Sequence, residues 1–293
     1  MAHLPGQESG AAITNILYGD VNPSGRLPYT IGKSLSDYGP AAPIITDPKG
    51  PVPQQDFTEG LYIDYRYFDK NNITPRFDFG FGLSYTTFEF SNITITQVIK
   101  PSEFPPARPD GISPPSLNST VPPPSGLGFP AGMKRITKFI YPYLEDTNST
   151  GGAPGRYPYP AGYSTTPHAP SPAGGGQGGH PALFDTILHV TASIKNTGSV
   201  PGKAVAQLYI SYPTVSGVDF PVRVLRGFEK VGAGPGERVN VGFDVTRRDL
   251  SYWDEKRGNW RIPLDADGKL TGFEIFVGGS SRGEGVKAKT TGS

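Results

Sequence analysis

Residues 54–90 read QQDFTEGLYIDYRYFDKNNITPRFDFGFGLSYTTFEF, and this stretch decides the fold. Its first half, Leu61–Phe68, is dense in aromatic and β-branched residues and ends at the turn-forming run Asp69–Asn72. Within it, Asp64 and Arg66 alternate with apolar neighbours. Alternation of this kind predicts a strand over Leu61–Phe68, with one charged face and one face that packs.

The second half, RFDFGFGLSY at 76–85, interleaves three phenylalanines with two glycines. Glycines permit backbone conformations that other residues avoid, and they let a neighbouring chain approach closely. The phenylalanines need a surface to be buried against. The pattern predicts a rigid joint between two packed bodies. We assign to this joint Asp64, Arg66, Asp69, Arg76, Phe79, Gly80 and Gly82.

Two further runs flank the joint: LPGQESGAAITNILYGDVNPSGRLPYTIGKS at 4–34 and PVRVLRGFEKVGAGPGERVNVGFDVTRRDLSYWD at 221–254. Together with EGLYIDYRYFD and PRFDFGFGLSYTTFEF, they resemble the C-terminal part of the glycoside hydrolase family 3 β-glucosidases, especially the secreted fungal ones. The resemblance covers the whole chain except its middle.

The resemblance implies an α+β fragment, in which the tail of an α/β sandwich domain precedes a fibronectin type III-like β-sandwich with a long Pro/Gly-rich insert. We expect the tail and the joint at 1–84 and the first strand of the sandwich at 85–99. The insert would then occupy 100–184, and the rest of the sandwich 185–293.

The N-terminal residues read as one α/β repeat. Apolar residues at helical spacing predict a helix over Gln7–Tyr18 that ends at Gly19, with Glu8 satisfying free backbone N–H groups at its start. Residues 22–25 (NPSG) predict a turn, and Leu27–Ile31 predicts a short strand. One repeat is too little for a sheet domain, and Met1 falls almost on a loop of the family. We therefore expect a longer parent protein that also holds an N-terminal barrel and the rest of the α/β domain.

The middle of the chain has a different composition. Proline and glycine make up 31 of the 85 residues of 100–184, which predicts a largely irregular insert, with Lys134–Leu144 as an ordered exception. From Phe184 onward, short β-rich runs alternate with turns, as in an all-β sandwich. The predicted strands are Phe88–Val98, Ile187–Ile194, Ala204–Tyr212, Val222–Lys230, Arg238–Val245, Asn259–Pro263 and Phe273–Gly278.

Catalysis in this family uses two carboxylates roughly 5–5.5 Å apart, one as nucleophile and one as acid/base. The resemblance places the nucleophile Asp in the N-terminal barrel and the acid/base Glu earlier in the α/β domain. No run in 1–293 matches either motif, so no catalytic residue is assigned. We expect Glu59, Asp64, Asp69 and Asp78 to pair with Arg66 and Arg76 at the joint.

The net charge and the composition of the chain limit the remaining functions. The net charge of +1 gives no basis for a nucleic-acid or membrane partner. The four histidines lack metal-ligand spacing and no glycine run matches a phosphate loop, so we predict neither a metal nor a cofactor. No secretory signal is visible at the start of the chain. Four Asn-x-Ser/Thr triplets, at Asn72, Asn92, Asn118 and Asn148, are nevertheless typical of a secreted glycoprotein.

Four interpretations stay open at this point. The chain is part of a secreted β-glucosidase acting on cellobiose and short β-glucosides, or part of a β-xylosidase of the same architecture. Alternatively, it is a non-catalytic β-sandwich module that binds carbohydrate or a partner, marked by an exposed aromatic row. We interpret Trp253 and Trp260 as core or rim residues, with sugar stacking as the alternative. The last alternative is a fragment without a role of its own.

Overall fold

The computed structural model describes residues 3, 6–40, 56–107 and 179–291. By internal contacts the chain divides into one compact unit of Met1–Pro106 with Pro181–Ser293 and a second of Ala107–His180. Nearly all of the second unit lies outside the described residues, and so does the predicted ordered run Lys134–Leu144.

The first unit is dominated by a two-sheet antiparallel sandwich. One sheet has the order β1-β2-β5, formed by Phe88–Gln97, Thr186–Asn196 and Arg238–Thr246. The other has the order β4-β3-β8-β9, formed by Val224–Ala233, Gly202–Ser211, Thr271–Gly278 and Gly285–Thr291. A separate hairpin joins β6 (Tyr252–Asp254) and β7 (Asn259–Arg261), and a short helix, α3 (Arg247–Leu250), precedes it.

The core lies between the two sheets and follows from the two-residue period of the strands. In β2, for example, Val190, Ala192 and Ile194 are fully buried, while His189 before them is exposed and Lys195 after them is partly exposed. The inward residues of the other strands form one continuous apolar cluster with these. Burial of this cluster is the main driving force for the sandwich.

The seven predicted strands are confirmed, and none of their ends is shifted by more than three residues. In chain order β1 ends at Gln97 and β2 begins at Thr186, and the two strands are neighbours in one sheet. The chain on both sides of the insert packs on the sandwich: Ala182 and Leu183 of a 3₁₀ helix (Pro181–Phe184) are buried. At the other end, Arg247 donates to the Ser102 carbonyl at 2.8 Å.

The N-terminal residues form a helix and an extended ribbon. Helix α1 spans Ser9–Tyr18 and ends at Gly19 in the left-handed region, as predicted. The Glu8 side chain makes no capping hydrogen bond, contrary to our expectation. Its backbone is not extended as an N-cap requires, and glutamate is not among the short side chains that cap well.

The predicted strand Leu27–Ile31 is an extended segment with a single β-bridge, from Ile31 to Phe77. It pairs with 77–81 through backbone bonds at its two ends, such as Leu27 N–H to the Phe81 carbonyl at 2.8 Å. Between those ends the Phe81 N–H donates to the Asp78 carbonyl at 3.1 Å, and this turn within segment 77–81 interrupts a regular ladder.

The strand predicted over Leu61–Phe68 is wrong. Helix α2 occupies Tyr65–Lys70, after a turn in which Asp64 takes a positive φ of 56°. Tyr65 and Phe68, three residues apart, are both buried on one side of the helix. Charged and apolar residues alternate around Arg66, and this alternation suggested a strand although the buried residues have helical spacing.

The turn predicted at residues 22–25 is also wrong, because these residues form neither a turn nor a regular element. Asn22 uses its side chain for distant partners: the amide nitrogen donates to the Pro201 carbonyl at 2.9 Å, and the amide oxygen accepts from the Tyr85 N–H at 2.9 Å. These bonds tie the ribbon to the joint and to the sandwich. Within the described ranges, no helix is long and apolar enough to span a bilayer.

Candidate functional site: the joint on the outer face of the second sheet

An aromatic stack covers the outer face of sheet β4-β3-β8-β9. Tyr65 of α2 lies 4.8 Å from Phe79 and meets Tyr209 of β3 edge-on at 6.0 Å, measured between ring centroids. Tyr209 also lies next to Phe276 of β8, with 6.0 Å between the centroids of the two tilted rings, and the Tyr209 side chain is fully buried. The Tyr65 hydroxyl accepts the Leu225 N–H at 3.0 Å. The joint therefore packs α2 and the phenylalanine segment directly onto the sandwich.

The two glycines of the joint lie where a side chain has no room. A Cβ on Gly80 would overlap the Gln207 amide, and Gly80 also has a φ of 80°. A Cβ on Gly82 would overlap the Gly25 carbonyl oxygen of the N-terminal ribbon. Each glycine thus permits one close approach of the kind the sequence suggested, the first to the sandwich and the second to the ribbon.

Gln207 is the polar centre of this contact, and the sequence analysis missed it. Its amide nitrogen donates to the carbonyls of Gly80 (3.1 Å) and Gly279 (2.8 Å), and its oxygen accepts the Tyr209 hydroxyl at 2.6 Å. The residue is 3% exposed, so these bonds satisfy an amide that water cannot reach. The available signal was a single polar residue within the apolar strand of 204–210.

The carboxylates of the joint have long-range partners instead of the expected neighbours. Asp69 pairs with Arg282 after β8, with 2.7 Å between Oδ1 and Nε, and the Asp69 side chain is 7% exposed. Asp78 Oδ2 accepts the Ser280 hydroxyl at 3.2 Å. Loop 279–284 is thereby tied to the joint at several points, including the Ser281 N–H donating to the Phe79 carbonyl at 2.9 Å.

Pairing of the joint carboxylates with Arg66 and Arg76 was expected, and the described contacts place these arginines elsewhere. The Arg66 guanidinium lies 5.8 Å from the centroid of the Tyr65 ring. Arg76 is exposed, and its backbone N–H donates to the Ile31 carbonyl at 2.7 Å. Nearness in sequence was a poor guide because the partners of Asp64, Asp69 and Asp78 are Thr30, Arg282 and Ser280, which tertiary packing brings to the joint.

Asp64 holds the turn before α2 to the N-terminal ribbon. Its Oδ1 accepts the Thr30 N–H at 2.7 Å, across 34 positions of sequence. A positive φ is uncommon for a residue other than glycine, and this bond offsets part of its cost. Asp64 Oδ2 and Glu59 Oε2 are buried and make no hydrogen bond within the described part of the chain.

Burial in the joint favours the neutral form of its tyrosines. Desolvation raises the pKa of Tyr209 far above the ordinary value, and proximity to Tyr65 adds to the effect. Desolvation likewise raises the pKa of Tyr65, against a smaller opposing effect of its bond from the Leu225 N–H. Both hydroxyls therefore act as neutral hydrogen-bonding groups.

A second place where carboxylates approach a concave surface is a groove of about 380 Å³ lined in part by Glu103 and Asp265. Glu103 pairs with Arg261 at 2.5 Å. Asp265 accepts the Lys269 N–H at 2.8 Å, and this bond and a similar one from Asp267 lower its pKa. A catalytic acid needs a raised pKa, so Asp265 is suited to holding its turn and not to donating a proton.

The remaining predicted residues lie outside the joint. Asn72 and Asn92 are exposed, with φ values of 53° and 54°, while Asn118 and Asn148 lie outside the described residues. Trp253 and Trp260 face each other across the β6–β7 hairpin, edge to face at 5.6 Å, and Trp253 is 44% exposed. Among the described residues, no three histidine or carboxylate side chains group as a metal-ligand set.

Comparison with known proteins identifies both halves of this arrangement. Residues 1–85 match the Glycosyl hydrolase family 3 C-terminal domain, and residues 204–281 match the Fibronectin type III-like domain. The chain is 51% identical to the "Probable beta-glucosidase E" of Aspergillus fumigatus over 96% of its own length and 26% of that protein. It is 46% identical to the "Probable beta-glucosidase F" of Aspergillus flavus, over 96% of its length and 32% of that protein.

Solved structures give the same result. The chain superposes on the beta-D-glucoside glucohydrolase of Trichoderma reesei with a TM-score of 0.65 and 33% identity, covering 98% of this chain and 29% of that one. For the Chaetomium thermophilum beta-glucosidase the TM-score is 0.68 and the identity 38%, covering 98% and 34%. The fold is thus a fibronectin type III-like sandwich joined to an α/β segment. The chain belongs to glycoside hydrolase family 3, of which it carries the C-terminal domain and the fibronectin type III-like domain, and it spans about a quarter to a third of the length of these relatives.

Proposed function

We propose that this chain is the C-terminal portion of a secreted retaining β-glucosidase that removes terminal β-D-glucosyl residues from cellobiose and short β-glucosides during cellulose breakdown. Relatives named as β-glucosidases that match over 96% of the chain support the activity. The four Asn-x-Ser/Thr triplets support the secretory route.

In this proposal the role of residues 1–293 is to hold domains together. The observation that carries it is the joint itself, where Gly80, Gln207 and the Asp69–Arg282 pair connect the α/β segment to the sandwich. The joint carboxylates with described partners bind backbone N–H groups, a hydroxyl or an arginine, so the two catalytic carboxylates would come from the barrel and from the earlier part of the α/β domain. The substrate would bind to the assembled parent protein.

The uncovered surface of α1 supports the same role. The helix contains no buried residue, and Leu17 and Tyr18 are 71% and 82% exposed. Exposed apolar side chains at helical spacing are typical of a face that packs against a partner. The remainder of the α/β domain is the partner that this proposal assigns to that face.

The rival function, a free carbohydrate-binding module, has less support. The outward positions of sheet β1-β2-β5 carry polar and charged residues and a glycine, with His189 and Asp244 paired at 2.9 Å. No aromatic row lies on this face among the described residues. The Trp253–Trp260 pair is better explained as a clamp on a hairpin of two three-residue strands.

A chimera tests the proposal. The corresponding C-terminal segment of the Trichoderma reesei enzyme is replaced by residues 1–293, and the purified chimera is assayed with aryl β-glucoside and aryl β-xyloside. We expect glucoside turnover, and we expect it to fall with Gly80→Leu but not with the matched change Gly10→Ala in open space on α1. A folded chimera without activity, or one insensitive to Gly80→Leu, would refute the role.

A further inference from the structure

Two arginines near Tyr65 have no carboxylate partner. The Arg66 guanidinium lies 5.8 Å from the centroid of the Tyr65 ring. Arg226 follows Leu225, whose N–H donates to the Tyr65 hydroxyl at 3.0 Å. Both arginines are partly buried, and neither forms an ion pair within the part of the chain that the structure describes. A guanidinium that is withdrawn from water without an anion beside it is costly.

The contacts that these arginines do make are with neutral groups. Arg226 donates to the Tyr212 hydroxyl at 2.6 Å and lies 5.9 Å from the centroid of that ring. The Arg66 side chain donates no hydrogen bond to any described residue. The Nε of each arginine is buried and also has no acceptor there. These contacts orient the two guanidinium groups and leave their charge without compensation.

The neighbouring carboxylates are already engaged. Lys70 lies one helical turn after Arg66 on α2, and it pairs with Asp219 at 2.8 Å. Asp69 pairs with Arg282 at 2.7 Å. Like charges four residues apart on a helix repel each other. The side of α2 that carries Arg66 and Lys70 therefore has more positive than negative charge.

Electrostatics join Arg66 and Arg226 into one patch. Desolvation raises the pKa of Tyr65, and the bond from the Leu225 N–H opposes this effect. The next contributions, both lowering that pKa, come from the charges of Arg66 and Arg226. Such effects decline with distance, so both guanidinium groups lie near the Tyr65 hydroxyl. We call these two residues the arginine patch.

We propose that the arginine patch binds an acidic side chain of the part of the parent protein that lies outside this chain. The planar guanidinium matches a carboxylate with two parallel hydrogen bonds, and arginine is the cation best suited to partly buried ion pairs between domains. The chain spans only 26% and 32% of the two fungal relatives, so most of such a parent is available to supply this group. The inference rests on the proposed function for the existence of that partner, and it adds a polar contact to the apolar face of α1.

The test compares melting temperatures of the isolated chain and of the chimera with the Trichoderma reesei enzyme. Arg66→Gln removes the charge and keeps much of the side-chain length. In the isolated chain it should melt at or slightly above the wild-type temperature, because no ion pair is lost. In the chimera it should melt several degrees below the wild type, because the acidic partner is left without a cation. Arg66→Lys should recover part of this loss.

Two further variants make the comparison specific. Arg226→Gln also loses its bond to the Tyr212 hydroxyl, so its effect is taken as the excess of the shift in the chimera over the shift in the isolated chain. Arg257→Gln changes an exposed arginine in the turn of the β6–β7 hairpin and should be neutral in both proteins. Equal shifts for Arg66→Gln in the two proteins would mean a role within this chain alone. No shift in either would mean that no partner exists, and both results overturn the proposal.

The measurement is separate from that of the proposed function. Melting does not require turnover, so a folded chimera without glucosidase activity refutes the proposed function and still tests the patch. If the wild-type chimera does not fold, inorganic sulfate is the probe for the isolated chain. At equal ionic strength, replacing chloride by sulfate should raise the melting temperature of the wild type more than that of Arg66→Gln. Equal rises would reflect only the general stabilising effect of sulfate and would refute an anion-binding patch.

Discussion

At the scale of single residues, the joint depends on a position that excludes even a methyl group. Gly80 combines a φ of 80° with a Cβ position already occupied by the Gln207 amide. Gln207 cannot retreat without giving up its bonds to Gly80, Gly279 and Tyr209. Backbone strain and overlap therefore act together.

We expect Gly80→Ala to lower the free energy of unfolding by about 2–4 kcal/mol. Denaturant unfolding followed by tryptophan fluorescence would measure it, with Gly10→Ala as the matched control. Gly10 lies within a helix with open space around it, so alanine there should be neutral or slightly stabilising. A Gly80→Ala variant as stable as the control would contradict this account of the joint.

The Asp69–Arg282 pair should matter because it is largely removed from solvent, with side chains 7% and 24% exposed. Removing one partner leaves an unpaired, poorly hydrated charge, so Arg282→Ala should cost about 2–4 kcal/mol of stability. The exposed pair Lys70–Asp219 has a similar distance of 2.8 Å. Its loss in Asp219→Ala should change stability very little. Equal effects of the two substitutions would show that burial does not decide the strength of the pair.

The raised pKa of Tyr209 predicts how the free energy of unfolding depends on pH in the alkaline range. Its pKa is raised in the folded protein, whereas in the unfolded chain it ionises near pH 10. Its neutral form thus contributes stability that is fully present below about pH 10 and is lost as the pH rises further, by about 1.4 kcal/mol per pH unit. Tyr209→Phe should flatten the decline of unfolding free energy between about pH 9 and pH 11. A decline parallel to that of the wild type would refute the assignment.

At the scale of elements, α1 is held by few contacts. Its apolar side chains face solvent, so Leu17→Ser should leave the free energy of unfolding within about 0.5 kcal/mol while reducing binding of a hydrophobic dye. Leu183→Ser changes a residue that is 2% exposed and should unfold the protein or lower its stability by several kcal/mol. Strong destabilisation by Leu17→Ser would mean that this chain itself covers the helix.

The elements also show what sequence could predict and why. Strands such as β2 were predictable because alternating burial follows directly from alternating side-chain direction. Two strands were missed: β6 has only three residues, and β9, GVKAKTT, is a lysine-bearing outer strand with little apolar content. Helix α2 was mistaken for a strand because its burial depends on a turn at Asp64 that only a distant partner, Thr30, stabilises.

The same reason limits prediction of the joint. Gly80, Gly82 and Phe79 were identifiable because glycine and phenylalanine have strong local requirements. Gln207 and Arg282 were not, since their importance depends on partners more than a hundred positions away. The local sequence indicated that the joint contacts another part of the protein. Only the tertiary structure shows which residues it contacts.

At the scale of the whole molecule, the chain is a sandwich with an attached α/β segment whose outer helix face is uncovered. This arrangement is stable at the joint and incomplete at α1. Nearly all of this chain is similar to β-glucosidases, but the chain represents only a small share of the length of those proteins.

The most direct test of the proposed division of labour is turnover of an aryl β-glucoside by purified residues 1–293. The account predicts no hydrolysis above the uncatalysed background, in a sample whose circular dichroism confirms a folded sandwich. Hydrolysis that persists through purification and disappears in Glu8→Gln or Asp64→Asn would contradict it, because the reacting carboxylates would then lie within this chain.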